Sequence, residues 1–206
     1  MGATKKICEL LVHALSQRQG IGTQFITTRF GNVLGSNGSV IPLFNKQIAE
    51  GGPVTITHPE ITRFFMTIPE ACQLVLEAGF MGNGGEIYVF DMGEPVKVLD
   101  VAINLIRLSG FEPHKDIKIK YVGLRPGEKL YEELFSENEP MMTTHHPKIN
   151  IAQVADDDFE TIFNKIEKML GSLSKMSESM LIEEMLEIVP GYTTSFVATP
   201  QEKGLL

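Results

Sequence analysis

Apolar residues recur at intervals of three and four residues over much of the chain, which is the pattern of helices with one buried face. Between residues 4 and 16, Ile7, Leu10, Leu11 and Leu15 follow this spacing and predict the first helix. Further helices are predicted at residues 40–50, 69–80, 96–109, 128–135, 156–170 and 176–188.

Runs of β-branched and aromatic residues lie between the predicted helices and indicate short strands. These runs occupy residues 24–30, 54–57, 86–90, 116–122 and 148–154. Because helices and strands alternate, the chain is predicted to belong to the α/β class. The first helix and strand would lie at the far edge of a doubly wound sheet, and the residues after them would form a smaller α/β domain.

The character of the chain changes after Ser136. Residues 137–146 are polar and rich in turn-forming residues, which indicates an excursion or a boundary. Residues 1–136 are therefore expected to comprise the sheet edge and the smaller α/β domain. Residues 137–206 are expected to comprise a linker, a further strand, two helices and, from Thr193, a frayed terminal tail.

Composition narrows the classes of function. The 206 residues are 43% hydrophobic and 21% charged, and a net charge of −8 argues against a general affinity for nucleic acids or anionic membranes. No apolar run reaches the roughly 18 residues that span a bilayer, and no signal peptide is indicated. The two cysteines, Cys8 and Cys72, lie in apolar helical segments, so reduced thiols and a cytoplasmic location are expected.

A loop rich in glycine and asparagine follows the first predicted strand. Residues 29–36 read RFGNVLGS, and Ser39 comes just before the next predicted helix. In α/β folds, ligands bind at the carboxyl ends of strands, and loops of this composition present backbone N–H groups that suit phosphate oxygens. Asn32 is the first candidate for a side-chain hydrogen bond to a ligand, followed by Ser36 and Ser39. An ordinary strand-to-loop turn would have the same local composition.

Arg63 lies among apolar residues immediately before a predicted helix. A half-buried guanidinium needs an anionic partner. One candidate is a bound diphosphate, whose oxygens suit a planar guanidinium. The alternative is an ion pair with Glu60, Glu70 or another carboxylate of the chain.

A second arginine stands in a sharp local motif, because residues 125–128 read RPGE and follow a predicted strand. The Pro-Gly pair favours a tight turn, which would project Arg125 and Glu128 into one region. We expect Arg63 and Arg125 to face a common cleft beside the loop at 31–39, since all three segments suit an anion.

Three segments together resemble the second half of an extended short-chain dehydrogenase/reductase. They are residues 1–5, the RFGNVLGSNGSV segment at 29–40 and the LRPGEKLYEEL segment at 124–134. The resemblance covers residues 1–134, and 148–192 more loosely. It is strongest to the nucleotide-sugar 4,6-dehydratases and epimerases of bacterial capsule and O-antigen biosynthesis. It implies the C-terminal portion of a doubly wound, Rossmann-like NAD(P)-binding fold, present here as edge elements only, with a small α/β substrate-binding domain and C-terminal helices.

The resemblance also implies how the cofactor is held. In the family, a lysine on one helix face binds the cofactor ribose and lowers the pKa of a tyrosine four residues earlier, which acts as acid and base. Lys5 matches that lysine and is expected to be both catalytic and cofactor-binding. Met1 stands at the tyrosine position, and its thioether cannot transfer a proton, so another group must act as the base. Phe30, Gly31 and Asn32 would lie beside the nicotinamide.

The implied substrate is a UDP-sugar, with UDP-N-acetylglucosamine as the expected compound. Its binding residues would be Asn32, Ser36, Ser39, Arg63, Arg125 and Glu128. The implied reaction transfers hydride from C4 of the hexose to NAD or NADP, eliminates water across C5 and C6, and returns the hydride to C6. A UDP-sugar 4-epimerase of the same fold shares the first step and is an alternative.

No glycine-rich dinucleotide fingerprint occurs in the sequence. We therefore expect the cofactor-binding half to be missing from this chain and the fragment by itself to be inactive. A second alternative is a non-catalytic module that binds nucleotide sugars or serves oligomer contacts through its C-terminal helices. The resemblance implies a homo-oligomer, and for the full-length protein it leaves open a location at the cytoplasmic face of the inner membrane. The charge, the residue spacing and the hydropathy of this chain predict no nucleic-acid partner, no metal and no membrane-spanning segment.

Overall fold

The computed structural model describes residues 2–18, 20, 22–36, 38–132, 139–154 and 158–189. The helices in these ranges are α1 (Gly2–Ser16), α2 (Val40–Ala49), α3 (Ile68–Met81), α4 (Val98–Leu108), α5 (Phe159–Ser172) and α6 (Glu178–Ile188). The strands are β1 (Thr27–Arg29), β2 (Asn32–Val33), β3 (Val54–Ile56), β4 (Thr62–Arg63), β5 (Phe65–Met66), β6 (Ile87–Phe90), β7 (Val96–Lys97), β8 (Ile119–Tyr121), β9 (Met141–Thr143) and β10 (Ile149–Ala152).

The described residues form two compact units. The first unit comprises residues of the ranges 1–27, 83–86 and 155–206, and the second comprises residues of the ranges 28–82 and 87–154. Helices α1, α5 and α6 therefore belong to the first unit, and α2, α3 and α4 belong to the second.

The largest sheet has four strands in the order β1, β6, β10 and β9. Strand β10 runs antiparallel to both of its neighbours, with Ile149 opposite Phe90 and Ala152 opposite Ile87. All four residues of β6 are buried, which explains why its sequence is an uninterrupted apolar run and not an alternating one.

Three two-stranded pairings complete the strand structure of the second unit. Strands β2 and β5 are parallel, β3 and β8 are parallel, and β4 and β7 are antiparallel. Each pairing is only two or three residues long, so its main effect is to fix the position of the loop or turn that adjoins it.

The apolar core of the second unit is built from α2, β3 and α4. Phe44 and Ile48 lie four residues apart on α2, and Ala102 and Ile106 lie four apart on α4, so each pair occupies one helix face. The other buried members of this core are Val54, Ile56, Ile61, Val98 and Ile117.

The first unit is a cluster of the helices α1, α5 and α6. Its buried side chains are Ala3, Ile7, Ala14, Ile162, Ile166, Met169, Met185 and Ile188. Asp158 caps α5 by accepting a hydrogen bond from the Thr161 backbone N–H at 2.9 Å. Hydrogen bonds from the Thr161 hydroxyl and backbone hold the pKa of Asp158 below its ordinary value. Ser177 caps α6 in the same way through the Met180 N–H.

One predicted helix is wrong. Residues 128–132 of the expected helix at 128–135 are not helical, and residues 133–135 lie outside the described residues. The Leu130 carbonyl accepts a hydrogen bond from the Thr62 N–H at 3.2 Å, so this backbone pairs with the β4 segment and not within a helix. The Glu128 side chain contacts Thr57 and Arg63.

The α/β class predicted from the alternation of elements is confirmed. The first predicted strand is shorter than expected, since only Thr27–Arg29 pairs in a sheet. The expected domain boundary after residue 136 and the expected tail from Thr193 lie outside the described residues. Within the described part of the chain, no helix is long and apolar enough to cross a membrane, and Cys8 and Cys72 are free thiols at the surface.

Two phenylalanines of the second unit test the assignment of its core. Phe44 is 1% exposed, whereas Phe80 is 87% exposed. We expect Phe44→Ala to lower the free energy of unfolding by about 3–5 kcal/mol, because it removes a buried ring and leaves a cavity. The matched Phe80→Ala variant should change it by no more than about 0.5 kcal/mol. Urea denaturation followed by circular dichroism measures both, and equal losses would contradict the core described here.

Candidate functional site

A cavity of about 180 Å³ lies in the second unit, at the amino end of α2 and beside β3. Polar side chains of four separate segments reach it, and apolar residues form the rest of its wall. The polar lining includes Asn32, Ser39, Thr55, Thr57, Arg63, Arg125 and Glu128. The apolar lining includes Val40, Leu43, Phe44, Ile56, Ile61 and Val98.

The loop after β1 is held in place by backbone contacts with the β5 segment. The Asn32 N–H donates to the Phe64 carbonyl at 2.9 Å, and the Leu34 N–H donates to the Met66 carbonyl at 2.8 Å. A Cβ atom on Gly31 would approach the Phe64 Cβ to 2.8 Å, closer than real Cβ contacts. Glycine is therefore needed at position 31 for the loop to lie against Phe64, and this placement brings Asn32 to the cavity.

Ser39 precedes α2 and lines the cavity. Its hydroxyl oxygen is buried and has no hydrogen-bond partner among the described residues, and it does not cap α2. A buried hydroxyl without a partner is costly, so a ligand oxygen at this position would satisfy it. Ser36, in contrast, does not line the cavity, and its hydroxyl donates to the Val33 carbonyl at 2.9 Å.

The Glu128 carboxylate links three segments around the cavity. Its Oε1 accepts hydrogen bonds from the Thr57 hydroxyl at 3.2 Å and from Arg63 Nη2 at 3.4 Å. Its Oε2 accepts from the Arg125 backbone N–H at 3.0 Å. This last bond closes the turn of the RPGE motif, together with the bond from the Glu128 N–H to the Arg125 carbonyl.

Arg63 has a carboxylate partner within the chain. It pairs with Glu128 at 3.4 Å and also donates to the Thr62 carbonyl at 2.7 Å. The other two carboxylates considered for this role are engaged elsewhere. Glu60 pairs with Lys97 at 2.7 Å, and Glu70 pairs with Lys148. In each of these pairs the hydrogen bond from the lysine holds the pKa of the glutamate below its ordinary value.

The Arg125 guanidinium differs from that of Arg63. Arg125 is exposed at the cavity rim, and none of the described carboxylates lies within ion-pair distance of it. Arg63, Arg125 and Glu128 together give the cavity a formal charge of +1. The cavity is small and partly apolar, and it also contains an unpaired hydroxyl and an amide side chain. Such a cavity is suited to a ligand in which an anionic group is joined to an apolar or planar group.

The structure therefore brings together five of the residues predicted to bind substrate, namely Asn32, Ser39, Arg63, Arg125 and Glu128. Among the residues predicted to bind cofactor, Phe30 stacks on Phe90 with ring centroids 5.5 Å apart, and Gly31 packs against Phe64. Lys5 is exposed on α1 in the first unit. Met1 lies outside the described residues.

Two threonines of the cavity were not anticipated from the sequence. Thr55 accepts a hydrogen bond from Gln47 Nε2 at 2.7 Å on its hydroxyl, and its N–H donates to Gln47 Oε1 at 3.0 Å. Thr57 donates to Glu128. Thr55 stands in β3, whose alternate residues are buried, and Thr57 directly follows that strand. Threonines at strand ends carry no distinctive sequence signal.

A larger cavity, of about 750 Å³, lies beside the carboxyl end of α4 and the turn after it. Its lining includes Arg107, Phe111 and His114. Within the described residues it has no buried unsatisfied polar atom, and no group of His, Cys, Asp or Glu anywhere in these residues could hold a metal ion. The smaller cavity is therefore the better candidate for a specific site.

Comparison with known proteins assigns the chain to a family. Residues 1–154 match the family described as polysaccharide biosynthesis protein, and the chain belongs to that family. The family resemblance inferred from the sequence motifs is thereby confirmed. Among solved structures, Pen from Bacillus thuringiensis superposes with a TM-score of 0.65 at 33% identity, covering 81% of this chain and 56% of that one.

Three curated relatives show where the likeness lies. The capsular polysaccharide biosynthesis protein CapD of Staphylococcus aureus is 61% identical over 139 residues, which is 68% of this chain and 23% of CapD. The probable polysaccharide biosynthesis protein EpsC of Bacillus subtilis is 52% identical over 167 residues, 81% of this chain and 27% of EpsC. A UDP-glucose 4-epimerase of Rickettsia rickettsii is 39% identical over 140 residues, 68% of this chain and 40% of the epimerase. The chain spans about a quarter of the length of CapD and EpsC.

The two arginines of the cavity should differ in their effect on stability. Arg63 is 14% exposed and joins β4 to Glu128 and the Leu130 carbonyl, whereas Arg125 is exposed. We expect Arg63→Ala to lower the free energy of unfolding by about 1–3 kcal/mol, because it leaves a partly buried carboxylate without its cation. Arg125→Ala should change it by no more than about 0.5 kcal/mol. Urea denaturation of the two variants checks this, and a larger loss for Arg125→Ala would contradict the contacts assigned to both.

Proposed function

We propose that the cavity of the second unit binds the diphosphate of a UDP-sugar. The chain would then be part of an NAD(P)-dependent nucleotide-sugar 4,6-dehydratase that serves bacterial surface polysaccharide synthesis. The observation that carries the proposal is the convergence of Arg63, Arg125, Asn32 and the unpaired Ser39 hydroxyl on one cavity. The family of polysaccharide biosynthesis proteins supports it, as does the likeness to a protein named UDP-glucose 4-epimerase.

Cavity size limits how much of such a ligand this site can enclose. Cavities that bury whole drug-sized ligands hold roughly 300–1,000 Å³. The observed volume of 180 Å³ is enough for a diphosphate and the chemical group attached to one of its ends. The proposed ligand therefore places its diphosphate beside Arg125 and Ser39, and its sugar extends beyond the enclosed volume.

Lys5 is the proposed cofactor contact of the first unit. It is exposed on α1, and the described residues offer its ammonium no ion-pair partner. It would donate hydrogen bonds to the ribose hydroxyls of NAD or NADP, and the bound cofactor would supply reversible acceptance of a hydride. Phe30 and Gly31 contribute packing that fixes the loop, so Asn32 is the residue of that loop whose side chain is proposed to reach ligand.

Catalysis needs groups that the described cavity does not supply. A thioether at position 1 cannot act as acid or base, and no glycine fingerprint occurs in the 206 residues. We propose that turnover requires a dinucleotide-binding part and that the isolated chain is inactive. The proposed location is the cytoplasm, and the proposed assembly is a homo-oligomer.

A 4-epimerase is the second candidate activity, and the relationship to the Rickettsia protein of that name favours it. The two reactions differ in product mass when the chain acts within an enzyme that has the dinucleotide-binding part. Dehydration of UDP-N-acetylglucosamine lowers the mass by one water, whereas epimerisation leaves it unchanged. A chain that binds UDP but supports neither reaction in that context would be the non-catalytic module.

Calorimetric titration of the 206-residue chain with UDP tests the anion site directly. We expect UDP to bind, and Arg125→Ala to weaken its affinity by about 10- to 150-fold, since charged hydrogen bonds contribute about 1.5–3 kcal/mol. The matched control is Arg107→Ala, an exposed arginine outside this cavity, which should bind UDP as the parent chain does. Uridine, which lacks the diphosphate, should bind far more weakly. Equal affinities for UDP and uridine would refute a diphosphate site.

The same chain should not bind the dinucleotide. The pyrophosphate of NAD or NADP needs a glycine turn at a helix amino end, and the sequence contains no such fingerprint. Titration with NAD+ and NADP+ should therefore give no heat of specific binding. Micromolar affinity for either would place the cofactor site within these residues and overturn the division of roles proposed here.

A further inference from the structure

The amino-acid sequence around Thr57 does not explain why this residue lines the cavity. It directly follows β3, is half-buried, and lines the cavity. Its hydroxyl donates to Glu128 Oε1 at 3.2 Å, across 71 residues of sequence. The apolar core already holds the strand through Val54 and Ile56, so the threonine hydroxyl is not needed for burial.

We infer that Thr57 is a positioning residue of the anion cavity. Its hydroxyl helps to orient the carboxylate of Glu128, and that carboxylate in turn contacts the Arg125 backbone N–H and the Arg63 side chain. The inference rests on the proposed anion-binding function, because it assigns Thr57 an indirect part in that binding.

The Glu128 carboxylate needs more than one restraint. The terminal torsion of a glutamate is broad, so an unrestrained carboxylate samples many orientations. Glu128 Oε1 is held by Thr57 at 3.2 Å and by Arg63 at 3.4 Å, and both distances lie beyond the usual range. Neither contact alone restrains the group strongly, so loss of the hydroxyl should loosen it. The bond from Oε2 to the Arg125 N–H depends on the same orientation.

The hydroxyl of Thr57 is held at a fixed point. Strand β3 pairs with β8, and the Val122 N–H donates to the Ile56 carbonyl at 3.0 Å, directly before Thr57. Val54 is fully buried and Ile56 is nearly so, which anchors the strand in the core. A β-branched side chain also has few χ1 options. The strand end is therefore a rigid support from which one hydroxyl can orient a mobile carboxylate.

The test compares Thr57→Val, which removes the hydroxyl and keeps the branched shape, with Thr57→Ser, which keeps the hydroxyl. Two quantities are measured on the 206-residue chain: the proton chemical shift of the Arg125 backbone amide and the dissociation constant for UDP. We expect Thr57→Val to move the amide resonance upfield, as the bond to the carboxylate weakens, and to raise the dissociation constant by roughly three- to tenfold. Thr57→Ser should restore both values.

The controls separate positioning from general stability. Thr143→Val removes an exposed threonine of β9 and should leave both quantities unchanged. Thr57→Ala, a second variant without the hydroxyl, should reproduce the effect of Thr57→Val and replaces it if the valine variant is unfolded by circular dichroism. An unchanged Arg125 amide in a folded variant without the hydroxyl overturns the inference, as does failure of serine to rescue.

The two proposals fail in different ways. If the parent chain does not bind UDP, the anion-binding function is refuted, and positioning of an anion site by Thr57 falls with it. The amide shift would then still report whether the hydroxyl orients Glu128. If UDP binds to the parent chain and to Thr57→Val with equal affinity, the anion site stands and the role of Thr57 is refuted.

Discussion

The carboxylate of Glu128 is the group on which the cavity depends. It accepts hydrogen bonds from the end of β3, from β4 and from its own turn, joining segments separated by 71 and 65 residues of sequence. Glu128 is 21% exposed and Arg63 is 14% exposed, so each charge is largely removed from water. Partly buried charges are tolerated only when they are paired. Loss of either Glu128 or Arg63 would therefore leave the other charge partly buried without its partner.

A second constraint places the loop that follows β1. Gly31 lies so close to Phe64 that any side chain at this position would force the loop away from the β5 segment. The parallel pairing of β2 and β5 then sets Asn32 beside the cavity. The glycine of the RFGN motif is therefore needed for close packing in this structure, and the asparagine after it lines the cavity.

Much of the fold could be predicted because periodic apolar residues report burial directly. The helices of the core follow from such spacing, and the buried strand β6 follows from an uninterrupted apolar run. The segment after Gly127 could not be predicted in this way, since its apolar residues fit a helix, yet the Leu130 carbonyl is taken by Thr62. Among the site residues, Arg63 and Arg125 could be identified from the sequence, because Arg63 lies among apolar residues and Arg125 lies in a Pro-Gly turn motif. The partner of Arg63 is not recognisable, because Glu128 is 65 residues away and nearer glutamates compete for the assignment.

The charge of the cavity indicates which neutral groups matter. Two arginines and one glutamate leave a single net positive charge, which would only partly compensate the proposed diphosphate. The rest of the stabilisation has to come from neutral donors, and the Ser39 hydroxyl is a buried donor with no described partner. A buried hydroxyl without a partner is destabilising, and the proposed phosphate oxygen beside it would remove the penalty. Removal of Glu128 would raise the positive charge, yet it would also release the turn that carries Arg125. Glu128 therefore lowers the positive charge of the cavity, but it also contacts the Arg63 side chain and closes the turn that carries Arg125.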